Sequence, residues 1–305
     1  MNILQIILIT VFSLLAAAIL IFILYFSLSP MPVVNLIRKK MKDYLTYPPK
    51  YDDALENIEI KKDLKYKSKY GKNTYDLYLP KADGSYPLIL WVHGGAFVAG
   101  DKSGIENWGV MLAAKGYATA TINYELAPEA AYPAPLQQIA DAIKTISETA
   151  KDNKIDMNRV VIAGDSAGAH MAAQFSLIHT NNRFSEKVSI KSPLAKDALK
   201  GALLYCGPYD LEAVLNIKNK FFQIFVNRLG WSYLGKRRWQ KHALAETLIV
   251  TDFADENFVP CYITDGNTGS FETHGRMLAD YLRKKGVYVK ERYFSKETAG
   301  EVEHE

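Results

Sequence analysis

The five residues Gly164-Asp165-Ser166-Ala167-Gly168 hold a serine between glycines two positions away on either side. The apolar run 160–163 precedes them, and a helical pattern over 167–179 follows. In that context the pattern predicts a sharp strand–turn–helix with the serine at its tip. Small residues are needed at both ends because the turn brings the strand and helix backbones close together. The serine takes strained dihedrals that lift its hydroxyl outward, and the helix N-terminus beneath it favours developing negative charge. The chemistry is attack by a hydroxyl nucleophile, Ser166. Asp165 beside it is expected to be structural, pairing with nearby loops.

Upstream, His93-Gly94-Gly95-Ala96-Phe97 follows the apolar run that ends at Val92. A glycine pair after a strand lets backbone N–H groups converge on one point, which is what a tetrahedral oxyanion requires. Gly95 and Ala96, together with Ala167, are the expected oxyanion-hole donors. His93 itself is expected to hold the loop by hydrogen bonds and to take no part in proton transfer.

These residues need a rigid frame. Residues 58–66 and 74–79 alternate in polarity and predict a half-buried antiparallel edge. Continuous apolar runs follow at 86–92, 118–122, 160–163, 202–206, 259–263 and 287–294, separated by helical patterns near 108–115, 135–150, 167–179 and 275–285. Strands apolar on both faces and separated by helices predict a mostly parallel sheet covered on both sides; the leading pair makes it mixed. The stretch 207–255 is longer than a crossover needs. It is rich in aromatics and Lys/Arg (Phe221, Phe222, Phe225, Trp231, Tyr233, Trp239), and it reads as an inserted helical cap.

No charged residue occurs from Ile3 to Leu28. As a helix this stretch reaches roughly 39 Å, longer than the ~30 Å hydrocarbon core of a bilayer. A cleaved signal is disfavoured: no Lys or Arg precedes the run, the run is too long, and Ala16-Ala17-Ala18 lies inside it. The expectation is a retained transmembrane anchor over 1–30, a Pro-punctuated linker over 31–56 and the folded body over 57–305. Arg38, Lys39, Lys40 and Lys42 follow the anchor, and the positive-inside rule places the body on the cytoplasmic side.

Composition excludes several classes. With 49% apolar and 23% charged residues the chain is neither disordered nor fibrous. Its 37 basic residues face 33 acidic ones for a net charge of +4, without the clustered basic stripe that nucleic-acid binding needs. Two cysteines, Cys206 and Cys261, make at most one disulfide and no Cys-rich metal site. No cofactor is expected, because His, Asp and Glu do not cluster at ligand spacing.

Taken together, His93-Gly94-Gly95, then Tyr124-Glu125-Leu126-Ala127-Pro128-Glu129 with Tyr132-Pro133-Ala134-Pro135, then Gly164-Asp165-Ser166-Ala167-Gly168 resemble the hormone-sensitive-lipase-like carboxylesterase branch of the α/β-hydrolase fold. The resemblance runs from about residue 70 to the end. It implies an eight-stranded α/β-hydrolase sheet and a serine hydrolase with triad order Ser, Asp, His, acting on small acyl esters. Ala96 departs from it, standing where the branch usually has a third glycine, although an alanine still supplies its N–H.

The resemblance places the acid after the strand 259–263. Asp265 is the only carboxylate at that strand end and is favoured, although the family's usual position falls where this chain has Thr268, Gly269 and Ser270. Asp210 is the alternative; its ordinary role would be to cap the next helical turn. Asp252 and Asp255 precede the strand. The resemblance places the base after the last strand, where His304 is the only histidine; in this branch the chain usually continues past it. His274 is expected at the surface or as a cap, and His170, His179 and His242 lack a supporting context. The substrate class implied is a short- to medium-chain acyl ester. Amide hydrolysis on the same fold (an arylformamide or a peptide) is the alternative, followed by a catalytically silent binding module tethered to membrane lipid. The cap cations Lys218, Lys220, Lys236, Arg237, Arg238 and Lys241 suit either an anionic acyl group or a membrane surface, or simply a solvated helix face.

Overall fold

The computed structural model describes residues 2–41, 45–216 and 218–304. Lys42, one of the basic residues flanking the apolar N-terminus, lies outside them.

Helix α1 (Ile3–Leu28) begins with a capping box in which Asn2 and Gln5 satisfy each other's backbone N–H groups. None of its residues is buried. The span 31–56 expected as linker contains two helices. Residues Met31–Lys40 form α2, which starts on Pro30 and Pro32 and buries Val33, Val34 and Ile37 in the main core. Arg38 donates two hydrogen bonds to the Glu129 carboxylate (2.8 and 2.6 Å), one to Val98 O (2.7 Å) and one to Ala127 O (3.1 Å). A cation expected to mark membrane sidedness is therefore engaged with the folded body. Helix α3 (Tyr51–Glu56) follows.

Strands β1 (Ile58–Lys65), β2 (Thr74–Pro80), β3 (Tyr86–Val92), β4 (Ala118–Ile122), β5 (Ile155–Asp165), β6 (Leu199–Tyr205), β7 (Cys261–Asp265) and β8 (Val289–Tyr293) form one sheet in the order β1-β2-β4-β3-β5-β6-β7-β8. Only β2 runs against the rest. Helices α4 (Glu106–Ala113), α5 (Ala134–Thr149), α6 (Ala167–Thr180) and α9 (Glu272–Lys284) match the four expected from sequence, whereas α7 (Asn182–Val188) and α10 (Lys296–Ala299) were not legible there. This is the α/β-hydrolase fold. The cap contains α8 (Lys220–Leu234) and short 3₁₀ turns at Ala213–Asn216, Trp239–Lys241, Ala245–Leu248 and Val250–Asp252.

One sheet face packs Leu88, Leu90, Ile162, Leu204 and Ile263 into a core with Leu136, Ile139 and Ile143 of α5. On the other face Ile89, Trp91 and Ala163 pack with Ile105. The half-buried edge expected at 74–79 is corrected: β2 lies between β1 and β4 and is buried from Tyr75 to Leu79. Its Asp76, 1% exposed, meets Lys102 Nζ at 2.7 Å, and the same ammonium meets Asp63 at 2.9 Å. Asp63 sits at the irregularity in β1 and donates its N–H to Asp76 (2.7 Å). The buried carboxylate is thus matched by a cation and a backbone donor, as burial of a charge requires.

The register sets the ends of the central strands level: Val92 pairs with Gly164, Asp165 with Tyr205, and Tyr205 with Thr264. Loops leaving these ends converge at the carboxyl edge of the sheet, where open α/β sheets place their sites.

Candidate active site

Ser166 lies between β5 and α6 with φ 47° and ψ −117°, a conformation that a non-glycine residue adopts only under tertiary constraint. Its N–H is held by Tyr205 O at 2.8 Å. The flanking glycines are demanded by contact. A Cβ on Gly168 would stand 2.0 Å from Val92 O, and one on Gly164 would stand 2.4 Å from the Gly168 carbonyl carbon.

His304 Nε2 is 3.0 Å from Ser166 Oγ, and His304 Nδ1 is 3.4 Å from Asp265 Oδ1. The first distance is a hydrogen bond. The second is ion-pair range, longer than a formed N–H···O bond, as triads without substrate often are. Asp265 closes β7, is 4% exposed, and accepts the Phe271 N–H at 2.7 Å through its other oxygen. The Phe271 ring packs edge-on against the His304 imidazole, with centroids 5.2 Å apart.

Residues 300–304 reach the site through a hydrogen-bonded splice. Asn267 and Thr268 donate their N–H groups to Val302 O (2.8 and 3.1 Å), Asn267 Nδ2 donates to Gly300 O (2.8 Å), and the Val302 N–H donates back to Asn267 Oδ1 (3.0 Å). Gly266 permits this approach, since a Cβ there would lie 1.9 Å from Glu303 O. Asn267 and Gly266 are positioning residues that sequence reasoning missed. The alternative acid Asp210 accepts the Ala213 N–H at 2.9 Å through Oδ1 and caps the turn Ala213–Asn216.

The loop after β3 holds Gly95, Ala96 and Phe97 at φ 109°, 52° and 66°. Gly95 cannot carry a side chain, because a Cβ would fall 2.1 Å from Ala99 O. Ala96 and Ala167 share a cavity wall with Ser166, whereas Gly95 lines a neighbouring cavity with His304. Around them Asp165 accepts from Trp91 Nε1 (2.7 Å) and from the Gly94 N–H (2.8 Å), joining the Ser166 turn to the loop after β3. Tyr124 Oη donates to His93 O at 2.9 Å, and Ala127 N–H to Phe97 O at 2.9 Å. The 124–129 motif braces that loop from behind.

His93 is buried, stacks on Tyr124 (centroids 4.4 Å apart), and has Nδ1 2.7 Å from Gly94 O. A carbonyl only accepts, so Nδ1 carries the proton. His170 makes the same contact with Pro208 O at 2.7 Å. Burial pushes both imidazoles down to about 4. Unfolded, each titrates near 6.5, so the unfolded chain alone takes up protons as pH falls from 6.5 toward 4, and stability falls with it. The expected loss from pH 7 to pH 5 is about 2 kcal/mol per histidine. Urea midpoints measured at the two pH values check this, and equal midpoints would contradict it.

The other histidines are accounted for. His274 is no surface cap: it sits in the first turn of α9, lines the Ser166 cavity and packs edge-on against Phe271 at 5.6 Å. Burial lowers its pKa. His179 contacts Ser192 and Lys196, and His242 Nδ1 accepts the Leu244 N–H. Both cysteines are buried and outside any disulfide. Cys206 is distant from the triad in sequence, but the fold sets a ligand atom each from Cys206, Asp265 and His304 within 4.8 Å of one another. Ser166 and Asp265 already face the two imidazole nitrogens there.

Two cavities flank the triad. One, of about 790 Å³, is lined by Ser166, Phe97 and Leu211 and by Phe222, Phe225 and Leu229 of α8. Its wall is mostly apolar, with Asn216, Asn267, Ser270, Thr273 and His274 among its polar residues. The second, about 760 Å³, lies across His304 and is lined by Trp91, Trp108, Tyr205 and Tyr262. A serine–imidazole–carboxylate line beside an apolar chamber of this size is an arrangement that could carry acyl transfer from a small hydrophobic substrate.

The BD-FAE family model matches residues 75–271. The chain is similar in fold to esterase B from Lactobacillus rhamnosis, with 18% identity, a TM-score of 0.72, and coverage of 84% of this chain and 82% of that one. It is also similar to the hyperthermophilic esterase of the archaeon Pyrobaculum calidifontis (20% identity, TM-score 0.66, 89% and 85% covered). A thermostable carboxylesterase cloned from a metagenomic library gives 19% identity and a TM-score of 0.66, with 90% and 88% covered.

Proposed function

The chain belongs to the BD-FAE family, and we propose that it is a carboxylesterase that cleaves short- to medium-chain acyl esters through Ser166, His304 and Asp265. The observation that carries this reading is the 3.0 Å contact of His304 Nε2 with Ser166 Oγ, with Asp265 at 3.4 Å behind the ring. Ser166 Oγ attacks the ester carbonyl while His304 Nε2 takes its proton. Asp265 holds the imidazole in the tautomer that leaves Nε2 free to accept. The N–H groups of Ala96, Ala167 and Gly95 receive the oxyanion. The tetrahedral intermediate collapses, His304 returns the proton to the leaving alkoxide, and the acyl group stays on Ser166. Water, deprotonated by the same histidine, attacks the acyl carbonyl, and His304 passes that proton to Ser166 Oγ as the acid leaves. The named esterases with this fold, and the apolar chamber beside the serine, support an ester with a modest hydrophobic acyl group.

The proposed setting is a membrane. Helix α1 is long and apolar enough to cross a bilayer. Lys39 and Lys40, exposed at the end of α2, favour a cytoplasmic body. Turnover of a nitrophenyl ester against the matching nitroanilide tests the bond type. The expected result is ester cleavage at least a hundredfold faster in kcat/KM. Faster anilide cleavage would replace the esterase reading with an amidase one.

A further inference from the structure

The cap helix α8 has two differently used sides. Phe222, Phe225, Val226 and Leu229 line the Ser166 cavity. Beside them Phe221, Ile224, Arg228 and Trp231, spaced three and four residues apart, form a second stripe along the helix. Phe221 is 84% exposed and Ile224 45%, so both present most or much of their apolar surface to solvent. Where the stripe becomes half-buried, it meets the end of the membrane-length helix. The Arg228 guanidinium lies over the Phe26 ring at 5.2 Å and over Trp231 at 5.2 Å. Helix α2, which follows α1 directly, packs against α8.

Charge points the same way. Between Ala213 and Ala245 the chain carries Lys218, Lys220, Arg228, Lys236, Arg237, Arg238 and Lys241, and no Asp or Glu. Arg237 approaches the Trp231 ring at 5.9 Å. Exposed apolar side chains, an interfacial tryptophan and a run of cations along the segment are the features of a helix lying at an anionic lipid surface.

We infer that α8 docks in the interfacial layer of the bilayer that α1 enters, and that esters partitioned into that bilayer are the substrates drawn into the Ser166 cavity. The substrate half rests on the esterase reading above; the docking half does not. One side of α8 touches lipid while the adjacent side lines the chamber. An amphiphilic ester therefore passes from acyl chains to Phe222 and Phe225 without crossing water.

The test uses the full chain in phosphatidylcholine–phosphatidylglycerol vesicles containing a lipid with a nitroxide near the top of its acyl chain. A bimane on Ile224→Cys, with Cys206 and Cys261 buried, is compared with one on Tyr288→Cys, an exposed position on the loop before β8. At least twofold stronger quenching at 224 is expected, and equal quenching overturns the docking. Separately, Phe221→Asp/Ile224→Asp is expected to lower hydrolysis of a vesicle-embedded medium-chain ester about tenfold, leaving water-soluble nitrophenyl butyrate unchanged. Equal effects on both esters overturn the delivery route. A quenched label with neither ester cleaved by the unmodified chain overturns the esterase reading and the substrate half with it, while the docking half stands.

Discussion

Ser166→Ala and His304→Ala are each expected to lower kcat toward a short-chain nitrophenyl ester about 10⁶-fold, and the double variant no further. Nucleophile and base act as a unit: without His304 the hydroxyl keeps its proton, and without Ser166 the imidazole has nothing to activate. Neither change should unfold the chain. Ser166 Oγ makes its contact with a residue of the C-terminal segment, and that segment is held independently by Asn267 and Thr268. Steady-state kinetics beside thermal melting separates the two effects. A fall of less than a hundredfold in a folded Ser166→Ala protein would remove Ser166 from the mechanism.

Asp265→Asn is expected to lower kcat about 10⁴-fold, the scale on which loss of the orienting carboxylate turns the imidazole to the wrong tautomer. The amide oxygen can still accept the Phe271 N–H now held by Asp265 Oδ2, so the loop after β7 has a partner in the variant. Asp210→Asn serves as the control. Asparagine caps a helical turn about as well as aspartate, and Asp210 caps Ala213, so its kcat should stay within about threefold of the starting value. If the two variants exchanged these outcomes, the acid would be Asp210.

What was legible in the sequence was local. Gly164 and Gly168 announce the nucleophile turn because two backbones touch there, a constraint that acts over five residues. Gly95 announces the oxyanion loop for the same reason. The sheet was readable because its inner strands are apolar on both sides. Less was visible where the answer depends on how distant segments meet. The strand expected to end at Ile263 continues to Asp265, and only its pairing with β8, Asp265 beside Tyr293, levels that carboxylate with the site. The splice of Asn267 to Val302, which holds His304, leaves no pattern in either segment alone. The polarity of β2 alternates like that of a half-exposed strand, with Asp76 as one of its polar positions. It becomes a buried strand because β1 makes it internal to the sheet, α4 packs Val110 and Ala113 against Tyr78, and Lys102 arrives from the loop after β3 to meet Asp76. In sequence helix α2 reads as linker, because prolines punctuate its start and only Val33, Val34 and Ile37 mark its buried side. Its docking depends on Arg38 meeting Glu129 across 91 residues of chain.

The most direct test of the central claim is covalent. The 305-residue chain in detergent, treated with a fluorophosphonate probe and digested, should give one adduct, on the peptide that contains Ser166. The adduct should vanish in Ser166→Ala and form far more slowly in His304→Ala. No adduct on a protein that melts cooperatively, or an adduct elsewhere that persists in Ser166→Ala, would contradict the assignment of Ser166 as a nucleophile activated by His304.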